Sequence, residues 1–79
     1  MLNNEEILMR RLLGARLLLL REERGLTLQE VSDYADVPVS TIHQYENAKR
    51  EAKFIAIAKL TQFFDVTADW LIGRSDVRK

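Results

Sequence analysis

The residues that could do chemistry in this chain lie mainly between positions 38 and 53. Five polar side chains in this stretch can donate or accept hydrogen bonds: Ser40, Thr41, His43, Gln44 and Asn47. Hydroxyl, imidazole and amide groups can bond to base edges and phosphates of a nucleic acid. Basic side chains, which suit phosphate oxygens, follow at Lys49, Arg50 and Lys53. These residue types indicate a binding surface.

The sequence lacks the combinations that catalysis or metal binding requires. It contains no cysteine and a single histidine, so neither a thiolate nor a histidine metal site can form. No nucleophile with a nearby base, no paired carboxylates with a pocket and no phosphate-binding glycine loop can be identified. We therefore expect no enzyme activity, no metal, no cofactor and no small-molecule ligand.

Length and composition predict one small globular domain. The chain has 79 residues, of which 47% are hydrophobic and 30% charged. Its apolar runs are too short for a transmembrane helix, and its N-terminus does not resemble a secretory signal, so we expect a cytoplasmic protein. The 12 basic residues balance the 12 acidic ones. This neutrality weakens the case for nucleic-acid binding, which needs at least one positive face.

Helix signals recur five times and predict an all-α fold over residues 1–79. Asn3 or Asn4 can cap the first helix, and Thr27 and Glu30 have capping-box spacing. Pro38 suits the first position of a helix. The predicted helices span residues 5–24, 27–35, 38–47, 54–64 and 68–72.

Apolar spacing predicts which residues form the core and which segments are weak. The expected core residues are Leu13, Leu17, Leu20, Leu28, Val31, Ala35, Val37, Ile42, Tyr45, Phe54, Ile57, Leu60, Phe64 and Trp70. Gly14 lies within the first helix, where it costs about 1 kcal/mol relative to alanine and predicts a weak or bent region. The tail from residue 74 is predicted to fray.

Spaced motifs along residues 14–73 resemble the Cro/repressor family of phage and bacterial regulators. They read GARL (14–17), LREERGLT (20–27), QEV (29–31), STI (40–42), YEN (45–47) and VTADWLIG (66–73), with Leu60 between the last two. The resemblance implies a five-helix repressor-like domain with a helix-turn-helix, here with an extended first helix. It also implies a recognition helix over residues 38–47 and a structural ion pair between Arg21 and Glu46.

Several positions depart from the family pattern. Leu28 stands where the family often has a phosphate-binding glutamine, and Val39 where it often has glutamine or arginine. Gln44 replaces a frequent arginine or lysine, Ala48 a glycine, and Ala52 a proline. The resemblance therefore implies a preserved fold with fewer of the usual DNA contacts.

The binding candidates form two groups. The base-reading candidates are Val39, Ser40, Thr41, His43 and Gln44. The phosphate-binding candidates are Arg16, Gln29, Asn47, Lys49, Arg50 and Lys53.

Alternatives remain for several of these residues. Val39 contacts a thymine methyl group or serves as a spacer, and Gln44 pairs with adenine or is simply solvated. His43 contacts phosphate or is merely exposed, and the basic residues bind phosphate or are ordinary surface charges.

The first helix has a second apolar stripe besides its core face. Its members are Leu8, Leu12, Ala15 and Leu19, and Leu18 is a further apolar residue counted among the interface candidates. An exposed stripe of this kind marks an interface, so we hypothesise a homodimer formed through the first helix, with or without the fifth. The alternative is that residues 1–12 fold back and cover the stripe.

Two functions fit these observations. The first is a sequence-specific regulator of transcription, a repressor that binds a palindromic site in double-stranded DNA as a two-fold dimer. The second is a protein-interaction module of the antirepressor or antitoxin type, or an engineered assembly, with weak or lost DNA binding. The charge distribution around the third helix distinguishes them.

Overall fold

The computed structural model describes residues 2–79 and shows five helices in chain order. They are α1 (Asn4–Glu23), α2 (Leu28–Ala35), α3 (Val39–Glu46), α4 (Phe54–Phe64) and α5 (Ala68–Leu71). No strand occurs in residues 2–79, and the all-α prediction is confirmed. The predicted helix limits differ from these by no more than one residue, and Met1 of the predicted domain lies outside the described residues.

Side-chain caps set the starts of three helices. Asn3 accepts a hydrogen bond from the Glu6 amide at 2.8 Å. Thr27 and Glu30 form the predicted capping box, with distances of 3.0 and 2.9 Å between each side chain and the other residue's amide. Thr67 accepts from the Trp70 amide at 3.1 Å. Pro38 is the residue before α3 rather than its first helical residue, because its ψ of 142° is extended.

The core lies where α1, α2, α3 and α4 meet, with α5 against α1 and α4. Its buried apolar side chains are Leu13, Leu17, Leu20, Val31, Ala35, Val37, Ile42, Tyr45, Ala56, Leu60, Phe64, Trp70 and Leu71. Most of the predicted core is present, with Leu28 and Ile57 partly buried against it. Among the described residues no membrane-spanning helix is found.

Phe54 was wrongly predicted to be a core residue. Its side chain is 85% exposed, and Ile55 beside it is 59% exposed. The buried face of α4 is instead formed by Ala56, Leu60 and Phe64, which repeat every four residues. Phe54 lies about a third of a turn from that face and at the first position of the helix, where no neighbouring element covers it.

The C-terminal tail is docked, so the prediction of a frayed tail was wrong. The Thr67 amide donates to the Arg78 carbonyl at 2.6 Å, and the Arg78 guanidinium makes two hydrogen bonds to Glu23 at 2.8 and 2.9 Å. This pairing lowers the pKa of Glu23 below its ordinary value. The guanidinium groups of Arg16 and Arg78 lie over the Trp70 ring, 4.7 and 4.9 Å from its centroid.

Gly14 marks a close approach of α1 to α3. A Cβ atom at this position would lie 2.9 Å from the Glu46 carbonyl oxygen and still closer to that of Tyr45. Both oxygens belong to the backbone, so neither can move without shifting α3. The helix is continuous from Asn4 to Glu23, and the glycine serves packing between helices.

Candidate nucleic-acid interface

Helix α3 is held with one face in the core and the other toward solvent. Ile42 and Tyr45 are 0% and 1% exposed. On the opposite side Ser40, His43 and Asn47 are exposed and Gln44 is half-buried. Val39 and Thr41 are half-buried at the edges of the core face. All five base-reading candidates therefore lie on one short helix, joined to α2 by the turn at 36–38. This arrangement can offer hydrogen-bonding groups to a groove wide enough for a helix.

A bidentate ion pair connects the C-terminal end of α3 to α1. Arg21 Nε and Nη2 donate to the two carboxylate oxygens of Glu46 at 2.8 and 3.0 Å, and Nη1 donates to the Leu26 carbonyl at 3.0 Å. The Glu46 side chain is only 6% exposed. The hydrogen bonds to Glu46 raise the pKa of Arg21 above its ordinary value. These are the partners that the family resemblance implies.

Beside α3 lies a cleft of about 280 Å³, which we call the basic cleft. Three cationic residues line it, Arg50, Lys53 and Lys59, and Thr41 of α3 contributes a hydroxyl group. Its one acidic residue, Asp36, is paired with Lys59 at 2.9 Å. The cleft therefore carries a positive balance next to the outer face of α3.

Lys59 was missed by the sequence reasoning. It lies within α4, six positions after Lys53, and its side chain reaches back to the carboxylate and the carbonyl oxygen of Asp36 at 2.9 and 3.1 Å. Only the packing of α4 against the α2–α3 turn brings it to the cleft. The spacing of basic residues along the chain contains no signal for this contact.

The connector between α3 and α4 places the remaining basic candidates. The Lys53 amide donates to the Tyr45 hydroxyl at 3.2 Å, which ties the start of α4 to α3. Lys49 is exposed, and Arg50 is half-buried with its Nη1 donating to Gln44 Oε1 at 3.2 Å. These three phosphate candidates are thus brought together around the C-terminal half of α3.

The other phosphate candidates make contacts within the chain. Asn47 donates its amide to the His43 carbonyl at 2.8 Å, and Gln29 donates to the Asp33 carboxylate at 2.8 Å. Arg16 binds the carbonyl oxygens of Trp70 and Ser75, the latter at 2.8 Å. The structure therefore places Arg16 with the docked tail and not with the basic residues around α3.

The second stripe of α1 is only partly exposed. Leu8 is 65% exposed and Leu19 42%, and Ala15 between them is also exposed, whereas Leu18 is half-buried. Leu12 is half-buried as well, because its side chain packs against Gly73 of the same molecule. The alternative in which residues 1–12 fold back is wrong, since α1 runs unbroken through this region.

Ala48, directly after α3, has left-handed backbone geometry with φ at 57°. Such geometry costs an L-residue about 1–2 kcal/mol, while glycine at the same position costs roughly 0.5–1 kcal/mol of unfolded-chain entropy. We therefore expect Ala48→Gly to raise the free energy of unfolding by about 0.5 kcal/mol, measured by urea denaturation. Ala58→Gly, at an exposed position inside α4, is the control and should lower it by about 1 kcal/mol. Equal losses in both variants would contradict the prediction.

Comparison with known proteins gives a consistent result. The helix-turn-helix family model matches residues 17–71. The chain is similar to the HTH-type transcriptional regulator PrpR of Mycobacterium tuberculosis, with 38% identity over 65 residues that cover 82% of this chain and 13% of PrpR. It is similar to two Bacillus subtilis HTH-type transcriptional regulators: AnsR, with 37% identity over 75% of this chain and 51% of AnsR, and ImmR, with 28% identity over 85% of this chain and 53% of ImmR. The chain spans about half the length of these relatives or less.

Proposed function

Because the chain belongs to the phage-repressor-like helix-turn-helix family, whose members are non-enzymatic, we propose that it is a sequence-specific DNA-binding regulator of transcription. Helix α3 enters the major groove, and the basic cleft and Lys49 bind the phosphates beside it. The observation that carries this proposal is the position of the basic cleft, directly beside the polar outer face of α3.

The distribution of charge explains how a neutral chain can bind a polyanion. Two acidic residues are paired away from α3: Glu23 with Arg78, and Asp65 with Lys79. Asp36, the acidic residue of the basic cleft, is paired with Lys59. Around the connector, Lys49 and Lys53 are exposed and Arg50 is half-buried, with the exposed Glu51 among them, so the connector keeps a positive balance. Only this face needs to be positive for DNA binding.

Selection from a random duplex library tests the proposal directly. We expect one enriched sequence whose affinity falls steeply as salt rises. Lys53→Ala should weaken all sequences alike and reduce the salt slope by about one. Lys79→Ala is the matched control, because this exposed lysine lies on the tail beside Asp65, and it should leave the slope unchanged. Failure to enrich any sequence, or salt-independent binding, would overturn the proposal.

The working unit in this proposal is a two-fold dimer that represses from a palindromic operator. Two half-sites in adjacent major grooves would lie roughly one helical turn apart, and linking two weak contacts raises the overall affinity. The proposed contact is the α1 seam, which we define as Leu8, Leu12, Ala15 and Leu19. Their spacing of four, three and four residues is that of a helix-pairing seam, and Leu8 and Leu19 are its most exposed leucines.

Charged substitutions in the α1 seam should separate the dimer. Leu8→Glu and Leu19→Glu place a carboxylate where the partner helix would pack, so we expect each to shift sedimentation toward the monomer mass and to weaken binding to the full palindrome. Val77→Glu is the matched control, because Val77 is 65% exposed like Leu8 but lies on the tail. If both seam variants keep the wild-type mass, the proposed interface is wrong.

A protein-interaction module remains the second candidate, favoured by the exposed side chains of Phe54 and Ile55. Apolar side chains this exposed next to a polar binding face suit a protein partner. Leu28, in contrast, gives this candidate little support, since it packs against the core of its own chain. A chain that enriches no DNA sequence yet self-associates through apolar residues would favour this function.

A further inference from the structure

Gln44, the central polar residue of α3, is hydrogen-bonded by the connector that follows the helix. Arg50 Nη1 donates to the Gln44 side-chain oxygen Oε1 at 3.2 Å. The Lys49 amide donates to the Gln44 backbone carbonyl at 2.9 Å. The connector therefore contacts both the backbone and the side chain of the same residue, and Gln44 and Arg50 are each half-buried.

The chemistry of this contact determines how the Gln44 amide is oriented. A guanidinium group has only donors, so the amide atom that faces Arg50 must be the oxygen. One lone pair of that oxygen is thereby used, and the Nε2 amino group with its two hydrogens stays available. An unrestrained glutamine would sample both orientations and several rotamers, and would lose that freedom on binding.

The backbone around Ala48 brings Arg50 into reach. The Ala48 amide donates to the Tyr45 carbonyl at 3.1 Å, and the left-handed geometry of Ala48 turns the chain back toward α3. Arg50 also lines the basic cleft. Its guanidinium is therefore placed by the fold between the last turn of α3 and the cleft.

We propose that Arg50 is a positioning residue for base recognition: it fixes the Gln44 amide so that Nε2 is presented to an acceptor on the base edge. Purine N7 and guanine O6 are acceptors of this kind in the major groove. The inference rests on the proposed function and gives Arg50 a role that differs from simple phosphate binding. A phosphate contact adds affinity for every sequence alike, whereas a positioning contact adds discrimination at one base pair.

The test compares Arg50→Lys, Gln44→Ala and the Gln44→Ala/Arg50→Lys double variant. Each is measured on the selected duplex and on its single-base variants. Arg50→Lys keeps the charge but loses the planar fork. We expect Gln44→Ala and Arg50→Lys to lose discrimination at the same base pair, each by about tenfold. The double variant should lose no more than Gln44→Ala alone, and the salt slope of Arg50→Lys should match the wild type. Lys53→Ala is the control, and it should retain full discrimination at that base pair.

A second measurement follows the contact in the free protein. In NMR relaxation of the protein without DNA, the Gln44 side-chain amide should be ordered in the wild type and mobile in Arg50→Lys. Discrimination retained by Arg50→Lys, or lost at a different base pair from Gln44→Ala, overturns the inference while leaving the proposed function intact. If the wild type selects no sequence, the proposed function fails and this inference fails with it.

Discussion

Glu46→Ala is expected to lower the free energy of unfolding by about 3 kcal/mol. Breaking one side of a buried ion pair strands the other charge, at a cost of roughly 3–5 kcal/mol, and the lower figure applies because the Arg21 side chain is 19% exposed. The loss would appear as a lower midpoint of urea denaturation. Loss of the pair would also free the C-terminal end of α3 from α1, so DNA affinity should fall at temperatures where the domain is still folded.

Two comparison variants identify the cause of that loss. Glu23→Ala removes an equally well-formed pair with Arg78, but both side chains there are about two-fifths exposed, so the change should be small. Replacing Arg21 and Glu46 together with apolar residues of similar size should recover much of the stability, because no charge is then left unpaired. If Glu46→Ala costs no more than Glu23→Ala, the pair does not have the structural role assigned to it.

Gly14→Ala is expected to destabilise the fold by about 1–3 kcal/mol, the usual cost of forcing extra atoms into a packed contact. Helix propensity alone gives the opposite sign, a gain of about 1 kcal/mol. The added Cβ atom would lie 2.9 Å from the Glu46 carbonyl oxygen, and a backbone oxygen cannot rotate away as a side chain can. Thermal and urea denaturation of the variant measure the net result.

Ala58→Gly calibrates the propensity contribution, because Ala58 is exposed inside α4 and lies outside the α1 seam. This change should cost about 1 kcal/mol through propensity alone. A Gly14→Ala variant more stable than the wild type would show that α3 can move away from α1 without penalty.

The features that could be predicted from the sequence are those set by near neighbours in the chain. The capping box of Thr27 and Glu30 and the turn between α2 and α3 depend on residues within three or four positions. The apolar spacing of Val31, Ala35 and Ile42 predicts burial because α2 and α3 each bury one regular face. All five helices therefore agree with the sequence-based prediction.

The features that could not be predicted depend on which distant segments meet. Lys59 lines the basic cleft only because α4 packs beside Asp36. Arg16 donates a hydrogen bond to the carbonyl oxygen of Ser75 in the tail, 59 residues further along the chain. Phe54 has the apolar character of a core residue, yet its side chain is exposed because no neighbouring element covers the start of α4. In the candidate site, the contact from Arg50 to Gln44 arises from the backbone turn at Ala48.

The docked tail gives the chain a built-in optical probe. Trp70 is the single tryptophan of the sequence, it is 5% exposed, and the guanidinium groups of Arg16 and Arg78 lie over its ring. Release of the tail would remove Arg78 and admit water to the indole, which shifts tryptophan emission to longer wavelength. Intrinsic fluorescence of the unlabelled protein can therefore report local opening of the tail separately from global unfolding, which far-ultraviolet circular dichroism follows through the helices.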